Sequence, residues 1–108
     1  MDVIYEKKEN LAWIRLNRPN SLNSFNDTLV EQFHRALDQA AADKEIRVAI
    51  ITGEGKAFCA GGDLTYLETL EGATAQKEFI GKVGQLVEKI TTIPKPIIAM
   101  LCTIVYRN

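Results

Sequence analysis

The chain has almost no cysteine, and its two, Cys59 and Cys102, stand in unrelated contexts without a CxxC spacing. A disulfide framework and a structural zinc site are therefore not expected, no metal site is foreseen, and a reducing cytoplasm fits best. Histidine is rarer still: His34 is alone, between Phe33 and Arg35, with no nucleophile or carboxylate placed beside it by the sequence. It reads as a helix-flank residue and not as a base. Net charge is −1, too small to drive binding to nucleic acid or to an acidic membrane. No basic leader precedes an apolar run at the N-terminus, and no stretch reaches the length needed to span a bilayer. Glycine, finally, does not occur after Gly84.

What is present suits a single α/β domain over residues 1–108. Leu11 to Leu16 alternates between two faces, the period of a pleated strand, and Val3 to Lys7 is its hairpin partner through Lys8-Glu9-Asn10. Trp13 is expected in the core. Pro19 ends the pattern. Asn26 or Asp27 caps a helix whose Leu29, Val30, Phe33, Ala36, Leu37 and Ala40 recur at spacings of three and four. Ile46 to Thr52, rich in β-branched residues, predicts a strand buried on both faces, closed by Gly53.

An irregular loop follows to Gly62, then a helical turn from Asp63 to Leu70. A second helix is predicted from Ala73 to Ile90, with Phe79, Val83, Leu86 and Ile90 inward. Gly81 and Gly84 each weaken it by about 1 kcal/mol relative to alanine. Pro94 and Pro96 stop it, and Ile97 to Val105 is the last strand. The order is β-β-α-β-α-β, with parallel pairing across the helices.

Ligands of open α/β sheets gather beyond the carboxyl ends of strands, which is where Gly53 to Leu64 lies. Small residues there let a ligand approach the backbone, and amides entering the next helical turn suit an anion or oxyanion. A dinucleotide fingerprint fails, because Phe58 stands where GxGxxG needs glycine. A P-loop fails as well, since Lys56 does not follow the second glycine of GxxxxGK. A nucleotide-binding module is therefore a distant reading. Cys59 reads as a small buried thiol, and Glu68 and Glu71 as a solvated face. Lys7, Lys8, Arg15 and Arg18 read as scattered surface charge, with contact to the phosphates of a ligand as the alternative.

The stretch Gly55-Lys56-Ala57-Phe58-Cys59-Ala60-Gly61-Gly62-Asp63-Leu64 is similar to the signature loop of the crotonase (enoyl-CoA hydratase/isomerase) family. Asn17-Arg18-Pro19 with Ser21-Leu22-Asn23-Ser24-Phe25 resembles that family's first CoA-binding stretch. Lys95-Pro96-Ile97-Ile98-Ala99-Met100 resembles the strand leading to its second oxyanion segment. The resemblance covers residues 2–100 and leaves 101–108 as a divergent tail. It implies part of a crotonase-like spiral of ββα repeats.

By resemblance the protein is an enzyme, a hydratase (a lyase) or an isomerase of fatty acid metabolism, acting on acyl-CoA thioesters through an enolate-like intermediate. The Gly62 N–H is then one of two oxyanion donors. Ala60, Asp63, Leu64 and Thr65 line CoA on one side, with Ser21 and Leu22 on the other, mostly through backbone groups. Tyr66 and Leu67 face the acyl chain. CoA is part of the substrate, so no separate cofactor is implied.

The family's glycine-rich second oxyanion segment and its catalytic glutamates have no counterpart after Met100, which predicts a truncated chain, inactive alone. The alternative is a non-catalytic CoA-binding fragment, or a subunit that needs a partner chain. The family resemblance also implies a homotrimer or hexamer, although the C-terminal interface has no counterpart here.

Overall fold

The computed structural model describes residues 1–55, 58, 59 and 61–100, with Leu64 described through its backbone. One four-stranded sheet, in the order β1-β2-β3-β4, carries the chain. Its strands are β1 (Val3–Lys8), β2 (Leu11–Leu16), β3 (Val48–Gly53) and β4 (Ile97–Met100). The hairpin β1–β2 is antiparallel, whereas β2–β3 and β3–β4 are parallel, as the intervening helices require. The predicted continuation of the last strand from Leu101 to Val105 lies outside the described residues.

Helix α1 (Asp27–Ala42) forms where the sequence expects it. Asn26 is the N-cap, its side chain accepting from the Leu29 N–H at 2.9 Å. The whole predicted stripe of α1 is buried. It packs on Val3, Ile14, Leu16 and Ile51, which the register places on one face of the sheet. Burying a leucine, valine or phenylalanine contributes about 1.5–3 kcal/mol, so this stripe anchors the layer. At the other end of α1, the Lys95 ammonium donates to the carbonyls of Ala40 (2.7 Å) and Asp43 (2.6 Å). The Ala40 carbonyl is an orphan acceptor of the helix terminus, where a cation also meets the negative end of the dipole, and the Asp43 carbonyl accepts from the Ile46 N–H as well.

Helices α2 (Leu64–Thr69) and α3 (Gly72–Thr92) follow the loop after β3. Helix α3 buries Phe79 and Leu86 and packs Val83 and Ile90 against the same core. It runs slightly beyond the predicted ends on both sides.

Two readings change. The strand begins at Val48 and not Ile46: pairing starts at Leu11↔Val48, and the Ile46 N–H is used in a turn to the Asp43 carbonyl. Trp13 lies on the sheet face opposite α1, half-buried, with the Arg15 guanidinium 5.2 Å above its ring. A short 3-10 turn, Pro19–Ser21, lies where the sequence suggested no element.

Candidate functional site

Three segments meet at the carboxyl end of the parallel strands: Asn17–Phe25, Gly53–Gly55 and Gly61–Thr65. The first is folded tightly on itself. Leu22 and Asn23 both take left-handed φ, at 54° and 56°, which is uncommon without glycine. Asn23 suits this position chemically, because its short amide tolerates the left-handed region and bonds nearby backbone. Its Oδ1 accepts from the Arg18 N–H at 2.7 Å and its Nδ2 donates to the Glu54 carbonyl at 2.9 Å. It is fully buried. Leu22, by contrast, leaves 47% of its surface exposed, an apolar side chain held outward in a strained conformation.

The second segment packs on the first. Gly55 has φ +88°, and a Cβ there would lie 2.9 Å from the Cβ of Pro19. Both the backbone angle and the close approach need glycine at this position.

The third segment is tied to the first by a single parallel bridge, Phe25↔Gly62. The Phe25 N–H donates to the Gly61 carbonyl at 2.6 Å, and the Asp63 N–H donates to the Phe25 carbonyl at 2.9 Å. In parallel pairing, a residue whose two neighbours make the bonds turns its own N–H and C=O to the other side. Gly62 therefore directs its N–H away from Phe25. It is exposed, and that N–H has no partner among the described residues. Gly61 supplies the turn with φ +88°.

Asp63 closes the arrangement. Its carboxylate accepts from the Tyr66 N–H at 3.1 Å, capping α2, and from Arg18 Nη2 at 3.0 Å. Its carbonyl accepts from the Leu67 N–H. The Tyr66 amide first, and Arg18 second, hold the Asp63 carboxyl below the ordinary aspartate value. Arg18 also donates through Nη1 to the Ser24 carbonyl at 2.6 Å and lies 3.4 Å from Ser21 Oγ. Scattered surface charge is not its situation: the side chain is 17% exposed and engaged within the chain.

The expected site residues thus fall into two groups. Ser21 and Leu22 on the first segment are brought together with Gly62, Asp63 and Thr65 on the third. Ala60 lies outside the described residues, and Leu64 is described through its backbone as the first residue of α2. Tyr66 and Leu67 are half-buried and packed against the core. The Tyr66 ring meets Phe79 edge-on at 5.0 Å, and Leu67 Cδ1 lies 3.5 Å from where a Gly62 Cβ would stand.

The residues that sequence reasoning missed as organisers are Arg18 and Asn23. An asparagine between small and turn-forming residues, in Ser21-Leu22-Asn23-Ser24, is the signal that could have found the latter. Cys59 is half-buried, and burial pushes its thiol pKa up, partly offset by the Gly61 N–H at 3.5 Å. An inert thiol follows. Under the loop, Phe25, Phe58, Cys59, Leu16, Ile51 and Ile97 help line an apolar cavity of about 450 Å³. Gly62 is not part of its wall. Among the described residues no cluster of side chains could hold a metal ion, and no helix is long and apolar enough to cross a membrane.

The family model of enoyl-CoA hydratase/isomerase matches residues 6–103. A crotonyl-CoA hydratase from Syntrophomonas wolfei is 40% identical over 101 residues, which are 91% of this chain and 38% of that protein. A trans-2-decenoyl-acyl-carrier-protein isomerase from Streptococcus mutans is 30% identical over 90% of this chain and 38% of its own length. Among solved structures, an enoyl-CoA hydratase from Bacillus anthracis superposes with a TM-score of 0.88 at 27% identity, covering 94% of this chain and 40% of that one. An enoyl-CoA hydratase/isomerase from Mycobacterium paratuberculosis gives 0.81 at 35% identity, over 93% and 41%. The chain spans about two fifths of the length of the relatives it matches.

Proposed function

We propose, from the premise that the chain belongs to the enoyl-CoA hydratase/isomerase family, that it binds an acyl-CoA thioester and polarises its carbonyl with the Gly62 N–H. The observation that carries this reading is the bridge between Phe25 and Gly62, which turns an exposed amide outward beyond the strand ends. When an α-proton leaves, or water adds to the conjugated double bond, negative charge collects on the thioester oxygen. A preorganised amide stabilises that charge more than it stabilises the neutral carbonyl, and removing one such donor typically costs about 10²–10³ in rate.

Ser21 and Leu22 on one side, with Ala60, Leu64 and Thr65 on the other, form the walls for the CoA moiety. Leu67 faces the acyl chain beside Gly62, and Tyr66 supports it through Phe79. Asp63 serves from within the loop, since its N–H, carbonyl and carboxylate are all engaged.

These residues bind and polarise without completing turnover. Asp63, the acid next to Gly62, is kept ionised and doubly hydrogen-bonded, so it neither donates a proton nor accepts one readily.

The test is calorimetric titration of the chain with crotonyl-CoA. Gly62→Ala keeps the amide, and its added Cβ makes ordinary contact with Leu67 at 3.5 Å. Gly62→Pro deletes the N–H. Binding retained in the first and lost in the second is the expected pair of results. Equal binding by both would sink the proposal.

A further inference from the structure

Gly61 and Gly62 have no side chains with which to hold their own orientation. A Cβ at Gly61 would meet nothing within 4 Å, and one at Gly62 would touch a single leucine methyl. Two consecutive glycines are the most freely rotating link a chain has. The direction of the Gly62 N–H must then be imposed from the flanks, and one side chain reaches both sides of the bridge. Arg18 Nη1 holds the Ser24 carbonyl at 2.6 Å, one residue before Phe25. Arg18 Nη2 holds Asp63 Oδ2 at 3.0 Å, one residue after Gly62. The Arg18 backbone is held as well, since Asn23 Oδ1 accepts from its N–H, and the guanidinium has Asp2 3.9 Å from Nε and Ser21 Oγ 3.4 Å from Nη2. A planar fork with two separate donor ends can bridge two acceptors in a fixed geometry, which a single ammonium cannot reproduce.

We infer that Arg18 and Asp63 act as a positioning pair for the Gly62 amide, setting how well this protein distinguishes a thioester from free CoA. Neither residue touches the reacting oxygen. The ion pair clamps the two strands of the bridge, so the amide between the glycines meets the oxygen at a set angle without reorganising. The inference rests on the reading that this amide receives the thioester oxygen.

Its test uses the whole chain and two variants, Arg18→Met and Asp63→Asn. The second keeps an oxygen that can cap α2 while losing the charge that faces Arg18. Two quantities are read: hydrogen exchange at the Asp63 amide, and the ratio of affinities for crotonyl-CoA over free CoA. General weakening of the CoA walls lowers both affinities and cancels in the ratio. The expected result is faster exchange of the backbone amide at position 63 in both variants by about tenfold, with α1 amides unchanged.

Alongside it, the thioester preference falls by about tenfold or more, as misplacement of a reacting contact demands. The double variant adds little, because either change already opens the clamp. A preference that persists at the wild-type value in both variants overturns the positioning role alone. A wild-type chain with no preference for the thioester removes the underlying reading, and the positioning role with it.

Discussion

Asn23 is the buried joint on which the first segment of the site turns, and its replacement gives the most decisive stability test. The side chain accepts one hydrogen bond from the Arg18 N–H and donates another to the Glu54 carbonyl. Asn23→Gly removes both while keeping the left-handed backbone comfortable. Each buried group left without its partner costs about 1–3 kcal/mol. Glu54 is half-buried, so water can reach its carbonyl, and the sum falls near 2–4 kcal/mol.

With a urea slope of about 2 kcal/mol per M, the unfolding midpoint drops by about 1–2 M at an unchanged slope. Asn23→Ala loses the same bonds and also forces a Cβ into φ 56°. Alanine usually surpasses glycine through the unfolded state. Left-handed strain reverses that order here and makes Ala the worse variant by about 0.5–1 kcal/mol. Urea unfolding followed by circular dichroism measures both. If Ala proved as stable as Gly, or if both lay within about 0.5 kcal/mol of the parent, Asn23 would not be holding the segment.

Three further outcomes are expected. Gly61→Ala and Gly55→Ala share φ +88°, but a Cβ meets open space at Gly61 and the Pro19 Cβ at Gly55, so urea midpoints should rank Gly55→Ala clearly lower. Lys95→Met leaves the Ala40 carbonyl of α1 without its donor and should cost about 1–3 kcal/mol, seen together with faster exchange in its last turn. The Asp63 carboxyl titrates below its ordinary value of 3.8, so its contribution to stability is present above that pH and drains away as pH falls through the folded pKa. Acid unfolding of Asp63→Asn should therefore show a shallower loss below about pH 4 than the parent. An unchanged acid limb would mean that the pair with Arg18 contributes nothing.

Much of the frame was legible because it repeats. The α1 stripe, from Leu29 to Ala40, is buried residue for residue, since a period of 3.6 leaves one face to bury and Asn26 marks where it starts. Parallel pairing followed from strands separated by helices. Period two, however, divides a strand into two faces without saying which one the helix covers, and Trp13, expected in the core, is found half-buried on the face opposite α1. Ile46 is buried and β-branched like the strand beside it, yet a turn uses its amide, and composition alone does not reveal that.

The site was legible as segments and not as a machine. The motifs name Ser21, Leu22, Gly62 and Asp63 as expected contacts, but their joining depends on contacts spanning up to forty-five residues, such as Arg18 to Asp63. No local pattern encodes a contact of that range. A charged residue next to a proline reads as surface until its partners are placed.

Everything turns on the direction of one peptide hydrogen, and amide spectroscopy reads it directly. A two-dimensional proton–nitrogen spectrum of the ¹⁵N-labelled chain, titrated with crotonyl-CoA and separately with free CoA, isolates the Gly62 resonance. A low-field proton shift is expected at Gly62 with the thioester, none with free CoA, and an Asp63 amide that stays put in both. A Gly62 resonance unmoved at saturation, or moved equally by the two ligands, would contradict it.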